Sequence, residues 1–286
     1  MQQCFEAYDS MLRMILIRGW IVTAVCHLTV ILAVVPSGLT QNPNGAPTRQ
    51  VSAKQAKKHP DKDLETSYEA DAAIARGDND QARHDLRAAN DDYGKAVDLS
   101  RPLPDRYCVL KAKALRKLAD VLNAENKPEQ AEVLLKESVS VLERAPEVAG
   151  LQLGLALFDL ESQYGGTQQV DKAADTAVRA EGFYEKCIAA GDESGKVCDR
   201  RLADVQGLMG CIFFLAGRFS ESEPWLQSVI ARDDDQVRPE VMLVSLQAYT
   251  KLTFQNGKIL ESARTAHRAE EFRHKHPEDK YMILND

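Results

Sequence analysis

The sequence predicts an all-α chain in which about five helix pairs stack side by side as a solenoid. Three observations carry that expectation. The 286 residues are 44% hydrophobic but only 6% aromatic, so the core must be built from alanine and aliphatic side chains, which favour helices. From Leu64 onward, apolar residues recur at helical spacing in segments of 13 to 23 residues divided by Gly, Pro, Asn and Asp, and none alternates as a strand would. Small residues return at long, nearly regular intervals, the mark of a repeat. The same composition excludes disorder throughout, collagen and a polytopic membrane protein.

The first forty residues differ from the rest. Arg13 and Arg18 precede an uncharged run of 17 residues, Gly19 to Val35, which closes at Pro36, Ser37 and Gly38 and leads into a polar stretch. That is the layout of an export signal. The run also reaches the lower limit for a membrane-spanning helix, so cleavage after Ser37 or Thr40 competes with retention of residues 19–35 as an N-terminal anchor. Met11 and Met14 are alternative starts that would leave a short basic leader. Cys26 lies inside the apolar run rather than after it, which argues against a lipoprotein anchor.

Residues 41–63 read as a flexible tether, with turn formers from Asn42 to Pro47 and a lysine cluster at Lys54, Lys57, Lys58 and Lys62. Residues 64–276 are the expected repeat domain and residues 277–286 a C-terminal tail. Without residues 1–63, 29 basic side chains face 39 acidic ones, a balance of −10. Such a surface repels phosphate backbones, so no nucleic-acid partner is expected.

The apolar spacing predicts helices over 64–76, 78–100, 105–125, 128–144, 147–164, 168–190, 195–216, 219–232, 237–255 and 258–275. Prolines 102, 104, 128, 146, 239 and 277 fall at their ends, where a missing N–H costs little. Gly77-Asp78-Asn79-Asp80 reads as the first turn.

Pairing these helices exposes the repeat. Leu115, Leu118, Ala119 and Leu122, followed by Ala131 and Leu135, stand at the spacing W-x2-L-G-x2-Y…A-x3-F, with aliphatic residues in the aromatic places. Leu157, Leu160, Tyr164, Ala173 and Ala177 repeat it. Met209, Gly210, Phe213, Gly217, Phe219, Ser222 and Leu226 give the fullest copy, and Ala82 and Ala263 mark two weaker ones. Taken as equivalent, Ala82, Ala131, Ala173, Ser222 and Ala263 are separated by 49, 42, 49 and 41 residues. The chain therefore resembles the tetratricopeptide-repeat family, in particular its longer-unit members. The tryptophan and closing proline of the ordinary motif are missing from most copies, and an irregular helical bundle is the alternative architecture. The resemblance implies a right-handed α-α superhelix whose first helices line a concave groove, and a family habit of binding peptides or protein segments there.

Carried over position by position, the groove presents Lys113, Arg116, Asp120 and Asn123 from the second unit. The third supplies Leu155, Phe158 and Ser162, and the fourth Asp204, Cys211 and Phe214. Lys113 and Arg116 suit a carboxylate, and Phe158 and Phe214 suit apolar pockets. Solvated charges and inter-helix packing are the structural alternative for the same residues. The family's carboxylate clamp needs asparagine where this unit has Asp120, so that assignment is not supported.

Chemistry elsewhere is sparse. Cys187 and Cys198 lie almost symmetrically about the loop 191–195, placed either for a disulfide or as two small thiols at a tight helix contact. His267, His274 and His276 with Glu270 and Glu271 read as a solvated cap rather than a metal site. Gly-x-Ser-x-Gly, His-Glu-x2-His, phosphate-loop and dinucleotide patterns are missing, and no cofactor is implied.

The resulting expectation is a non-catalytic protein-binding or peptide-binding scaffold of the bacterial cell envelope. It would be periplasmic or extracellular after export, or held in the inner membrane by residues 19–35. A helical-repeat envelope hydrolase and a self-assembling structural protein are the alternatives.

Overall fold

A computed structural model describes residues 62–191 and 194–276. The expected export signal, most of the tether and the C-terminal tail lie outside the described residues. Every regular element described is helical, and no helix among them is long and apolar enough to cross a membrane.

Among the described residues, ten helices form five antiparallel pairs. They are α1 (Lys62–Ala82) with α2 (Leu86–Ser100), α3 (Cys108–Ala124) with α4 (Pro128–Glu143), and α5 (Leu151–Gly166) with α6 (Val170–Ala189). Then come α7 (Gly195–Leu215) with α8 (Phe219–Ile230) and α9 (Pro239–Gln255) with α10 (Ile259–Lys275). A 3-10 turn, Asp105–Tyr107, leads into α3, and a single helical turn, Pro146–Ala149, precedes α5. Each second helix packs on the first helix of the next pair, and the first helices also touch one another in order, so they form one continuous wall.

One turn geometry joins the helices of all five pairs. His84, Asn126, Gln168, Gly217 and Gly257 have φ of 61, 63, 59, 73 and 73°. The next residue's N–H donates back to the carbonyls of Asp80, Leu122, Tyr164, Phe213 and Thr253 at 2.8 to 2.9 Å. This left-handed cap satisfies carbonyls that the end of a first helix would otherwise leave unpaired.

That register corrects the repeat. The buried small residues facing the first helices are Ala89, Ala131, Ala173, Ser222 and Ser262, while Ala82 and Ala263 are exposed. Their spacings are 42, 42, 49 and 40, so the units do not alternate in length. Only one junction is enlarged: α6 and α7 run to 20 and 21 residues where α4 and α5 have 16 each. About one extra turn on each helix accounts for the difference. Where the small residue is serine, its hydroxyl donates to the facing helix, Ser222 to the Gly210 carbonyl at 2.7 Å and Ser262 to that of Thr250 at 2.9 Å.

The first pair also departs from expectation. Helix α1 runs unbroken through Gly77 to Asp80, and the chain turns at His84 instead. Gly77 serves close packing here, since a Cβ on it would stand 2.6 Å from the Tyr93 ring. Tyr93 then donates its hydroxyl to Asp78 at 2.6 Å, which ties α2 across the supposed break.

The same packing position, seven residues before each turn, holds Gly77, Ala119, Glu161, Gly210 and Thr250. Glu161 is the exception in size and charge. It is wholly buried, neither carboxylate oxygen has a hydrogen-bond partner, and burial followed by the charges of Asp204 and Glu181 holds its pKa well above the carboxylate range. At the next position of the facing second helix stands Ala177, where the first, second and fourth pairs have Tyr93, Leu135 and Leu226 and the fifth has Ala266.

Candidate groove along the first helices

The wall of first helices carries a run of ion pairs over the first three pairs. Lys113 and Lys117, four residues apart, share a face of α3 and reach back to α1, Lys113 to Asp71 at 3.0 Å and Lys117 to Asp78 at 2.7 Å. Arg116 reaches forward to Asp159 of α5, Nε to Oδ2 2.5 Å. The cations expected to hold a partner's carboxylate therefore already hold carboxylates of this chain.

Electrostatics follow from this crowding. Burial works to raise the pKa of Asp78, but attraction and hydrogen bonding from Lys117 outweigh it and leave the carboxyl below its ordinary value. Burial opposes the charge on Arg116, and Asp159 more than restores it. Asp120 sits half-buried among these groups; burial and repulsion from Asp159 push it up to about 7, against the pull of Lys117 and Arg116. Asn123 is half-buried, and its Nδ2 is shielded without a hydrogen-bond partner.

The structure divides the expected groove residues into two sets. Lys113, Asp120, Asn123, Leu155, Phe158 and Ser162 keep part of their surface open. Arg116, Asp204, Cys211 and Phe214 are buried. Asp204 accepts from Arg201 at 3.3 Å and from Arg238 at 2.7 Å, so it links α7 to the start of α9. Phe214 packs with Leu226, Tyr249 and Leu252, and its ring lies 5.6 Å from that of Phe219. Cys211 belongs to the same cluster, and burial raises its thiol to about 12. Lys117, Asp78 and Asp159 are missing from the expected set. The i, i+4 spacing of Lys113 and Lys117 is the one local signal for them.

Cys187 and Cys198 are joined across the lengthened junction, with an S–S distance of 1.97 Å and Cα atoms 6.2 Å apart. Cys108 and Cys211 are buried and free. His267 and His274 lie exposed beside Glu271 and Glu270 at 3.7 and 3.4 Å, and no group among the described residues has the arrangement of a metal site.

No family model and no curated protein matches the sequence. Solved structures do. BtubC (BKLC) from P. vanneervenii superposes with a TM-score of 0.63 at 12% identity, over 74% of this chain and 82% of that one. Two crystal structures of Podosopora anserina putative kinesin light chain nearly identical TPR-like repeats, one of them of a point variant, give 0.54 and 0.57. They are 16% and 15% identical, over 76% of this chain and 98% of each of those. The fold is a tetratricopeptide-like solenoid. At these identities the likeness concerns the fold alone.

Proposed function

We propose that the chain is a non-catalytic scaffold that holds a protein segment or peptide against the wall of first helices. The observation that carries this is that Leu155, Phe158 and Ser162 of α5 and Lys113, Asp120 and Asn123 of α3, first helices that touch one another, all keep part of their surface open. A partner segment with an apolar side chain next to a polar one matches that sequence of surfaces. The solved neighbours support the reading by fold, and the acidic balance disfavours nucleic acid.

The site of action in this reading is the cell envelope. Residues 13–38 carry the basic, apolar and polar sequence of an export signal, and the membrane is touched only through residues 19–35 if they are retained. A photoreactive residue placed at Ser162 in the native host tests the groove, with a covalently attached polypeptide as the expected product. Attachment from the outer faces of α4 or α6 but not from Ser162 would sink the assignment. Residues 1–60 fused to a reporter active only outside the cytoplasm test the location, and a silent reporter would refute it.

One observation favours a second reading. A carboxyl raised to about 7 beside a second carboxylate is the pairing that acid–base catalysis uses, and Asp120 with Asp159 has it. An envelope hydrolase would lose turnover of cell-wall fragments in Asp120→Asn, whereas a scaffold has no such turnover to lose.

A further inference from the structure

The run of ion pairs along the wall leaves one carboxylate over. Asp120 is the only acidic residue of α3, and Lys117 and Arg116 are the cations whose charges act on it most strongly. Both are already taken, Lys117 by Asp78 at 2.7 Å and Arg116 by Asp159. Lys113, one turn before them, is taken by Asp71. Asp120 itself makes no ion pair and no hydrogen bond with any described residue, and part of its surface is open. A groove expected to receive a partner's carboxylate therefore presents an unmatched carboxylate of its own.

Two polar groups close to Asp120 in register are also unmet. Asn123 follows one turn later on the same face of α3, and its Nδ2 is shielded without an acceptor. Ser162 stands on α5 where Asp120 stands on α3, six residues before the turn of its pair, and its hydroxyl has no partner among the described residues. Asp78 holds the same position on α1, but there it accepts from both Lys117 and Tyr93. A half-buried anion without a counter-charge and a shielded N–H without an acceptor each cost free energy that a ligand can recover. The groups that would recover it are a cation for Asp120 and a carbonyl for Asn123. Leu155 and Phe158, within two turns of Ser162 on α5, add half-open apolar surface.

We propose that the partner segment is basic: a lysine or arginine side chain pairs with Asp120, a main-chain carbonyl of the segment accepts from Asn123 Nδ2, and a flanking apolar side chain covers Phe158. This rests on the scaffold reading above, whose partner it describes. Charge complementarity works at two ranges. The acidic balance of the repeat domain draws a cationic segment in, and a charge-assisted hydrogen bond to Asp120 fixes its place.

The test is selection of a random peptide library, displayed on phage, against the immobilised full chain. Peptides carrying Lys or Arg next to an aliphatic or aromatic residue should be enriched. The tightest of them, made synthetically, should bind Asp120→Asn about tenfold more weakly than the parent protein. Ser162→Arg, which supplies a cation from α5, should weaken it at least as much. Replacing the peptide's basic residue by glutamine should cost the same and abolish the difference between the parent protein and Asp120→Asn. That variant keeps the size of the side chain and removes an unmatched charge, so it should melt no lower than the parent. Selection of acidic or wholly apolar peptides, or of basic ones that bind Asp120→Asn and Ser162→Arg undiminished, would overturn the proposal and leave the scaffold reading standing. Competition by a free polyamine at the peptide's own concentration would make a small amine the occupant and overturn it too. If no peptide is enriched, the scaffold reading falls and this inference with it.

Discussion

Arg116 on α3 and Asp159 on α5 close on each other inside the wall of first helices, with only 8% and 10% of their side chains exposed. Lys113, one turn earlier on α3, makes a pair of the same kind with Asp71, but those side chains are 39% and 61% exposed. The two neighbouring pairs thus differ chiefly in solvent access. Removing one partner of a buried pair strands the other charge, whereas an open pair contributes little.

Arg116→Ala is therefore expected to destabilise the fold by about 3 to 5 kcal/mol. Lys113→Ala should change stability by less than about 1 kcal/mol. Urea unfolding of both variants checks the contrast, and similar midpoints would show that Arg116 is not held as described. A charge reversal at both sites, natural on the expectation that both face the groove, would confound binding with unfolding.

The turns lend themselves to a cleaner experiment. Holding a non-glycine residue at positive φ costs about 1 kcal/mol that glycine avoids. His84→Gly and Gln168→Gly should each raise stability by up to that amount, and Gly217→Ala and Gly257→Ala should lower it by about as much. Differential scanning calorimetry of the four variants is the measurement, and a loss of stability in His84→Gly would count against the turn at that residue.

The same five turns explain how much of the fold is legible in the sequence. Gly217, Gly257 and Asn126 are residue types that enter the left-handed region readily, and the boundaries predicted beside them agree with the structure. His84 and Gln168 carry no such signal. The apolar spacing around Gln168 locates that turn, but at the first turn Gly77 and its acidic neighbours draw the expected break forward by seven residues. The groove shows a different limit. The face of α3 is readable from periodicity, yet the partners of Lys113 and Arg116 lie 42 and 43 residues away, where no local pattern can pair them. The burial of Phe214 likewise depends on α9, a helix of the next unit.

Glu161 sets the pH dependence. Its folded pKa stands well above the unfolded value of 4.5, so the stability that goes with the neutral acid is fully present below that value and lost as pH rises through the folded pKa. Asp120 acts in the same direction over the window from 3.8 to about 7. Melting temperature should consequently fall as pH rises from 3.8 to about 7, the window of Asp120, and Glu161→Gln should flatten the decline. Glu161→Met, which removes the unpartnered oxygens altogether, should stabilise by about 1 to 3 kcal/mol at neutral pH. A profile that rises with pH in the parent protein would contradict this account.

The lengthened junction between α6 and α7 should depend on its cysteines. Cys187 and Cys198 are 11 residues apart, and closing a loop of that order contributes about 2 to 3 kcal/mol. Non-reducing peptide mapping should recover the two as one linked species, and reductant should lower the melting temperature. Cys108 and Cys211, being buried, should resist alkylation until the chain unfolds. Free alkylation of Cys187 in unreduced protein would refute the pairing.

The groove itself is tested by two phenylalanines that the sequence places alike and the structure separates. Phe158 is half-buried on α5, against the main core but partly open, whereas Phe214 lies 8% exposed within the cluster of Leu226, Tyr249 and Leu252. Phe214→Ala should empty a packed site and cost about 3 to 5 kcal/mol. Any loss of binding in that variant would then reflect unfolding. Lys113→Glu changes an open side chain and should leave the stability within about 0.5 kcal/mol of the parent value. Combined with Ser162→Arg, it alters the charge and shape of the open stretch around Phe158 without touching the buried pair of Arg116 and Asp159. Partner capture is expected to fall in this double variant while the stack stays folded. Undiminished capture by a folded double variant would move the partner to another surface, and unfolding would show that the open stretch is structural after all.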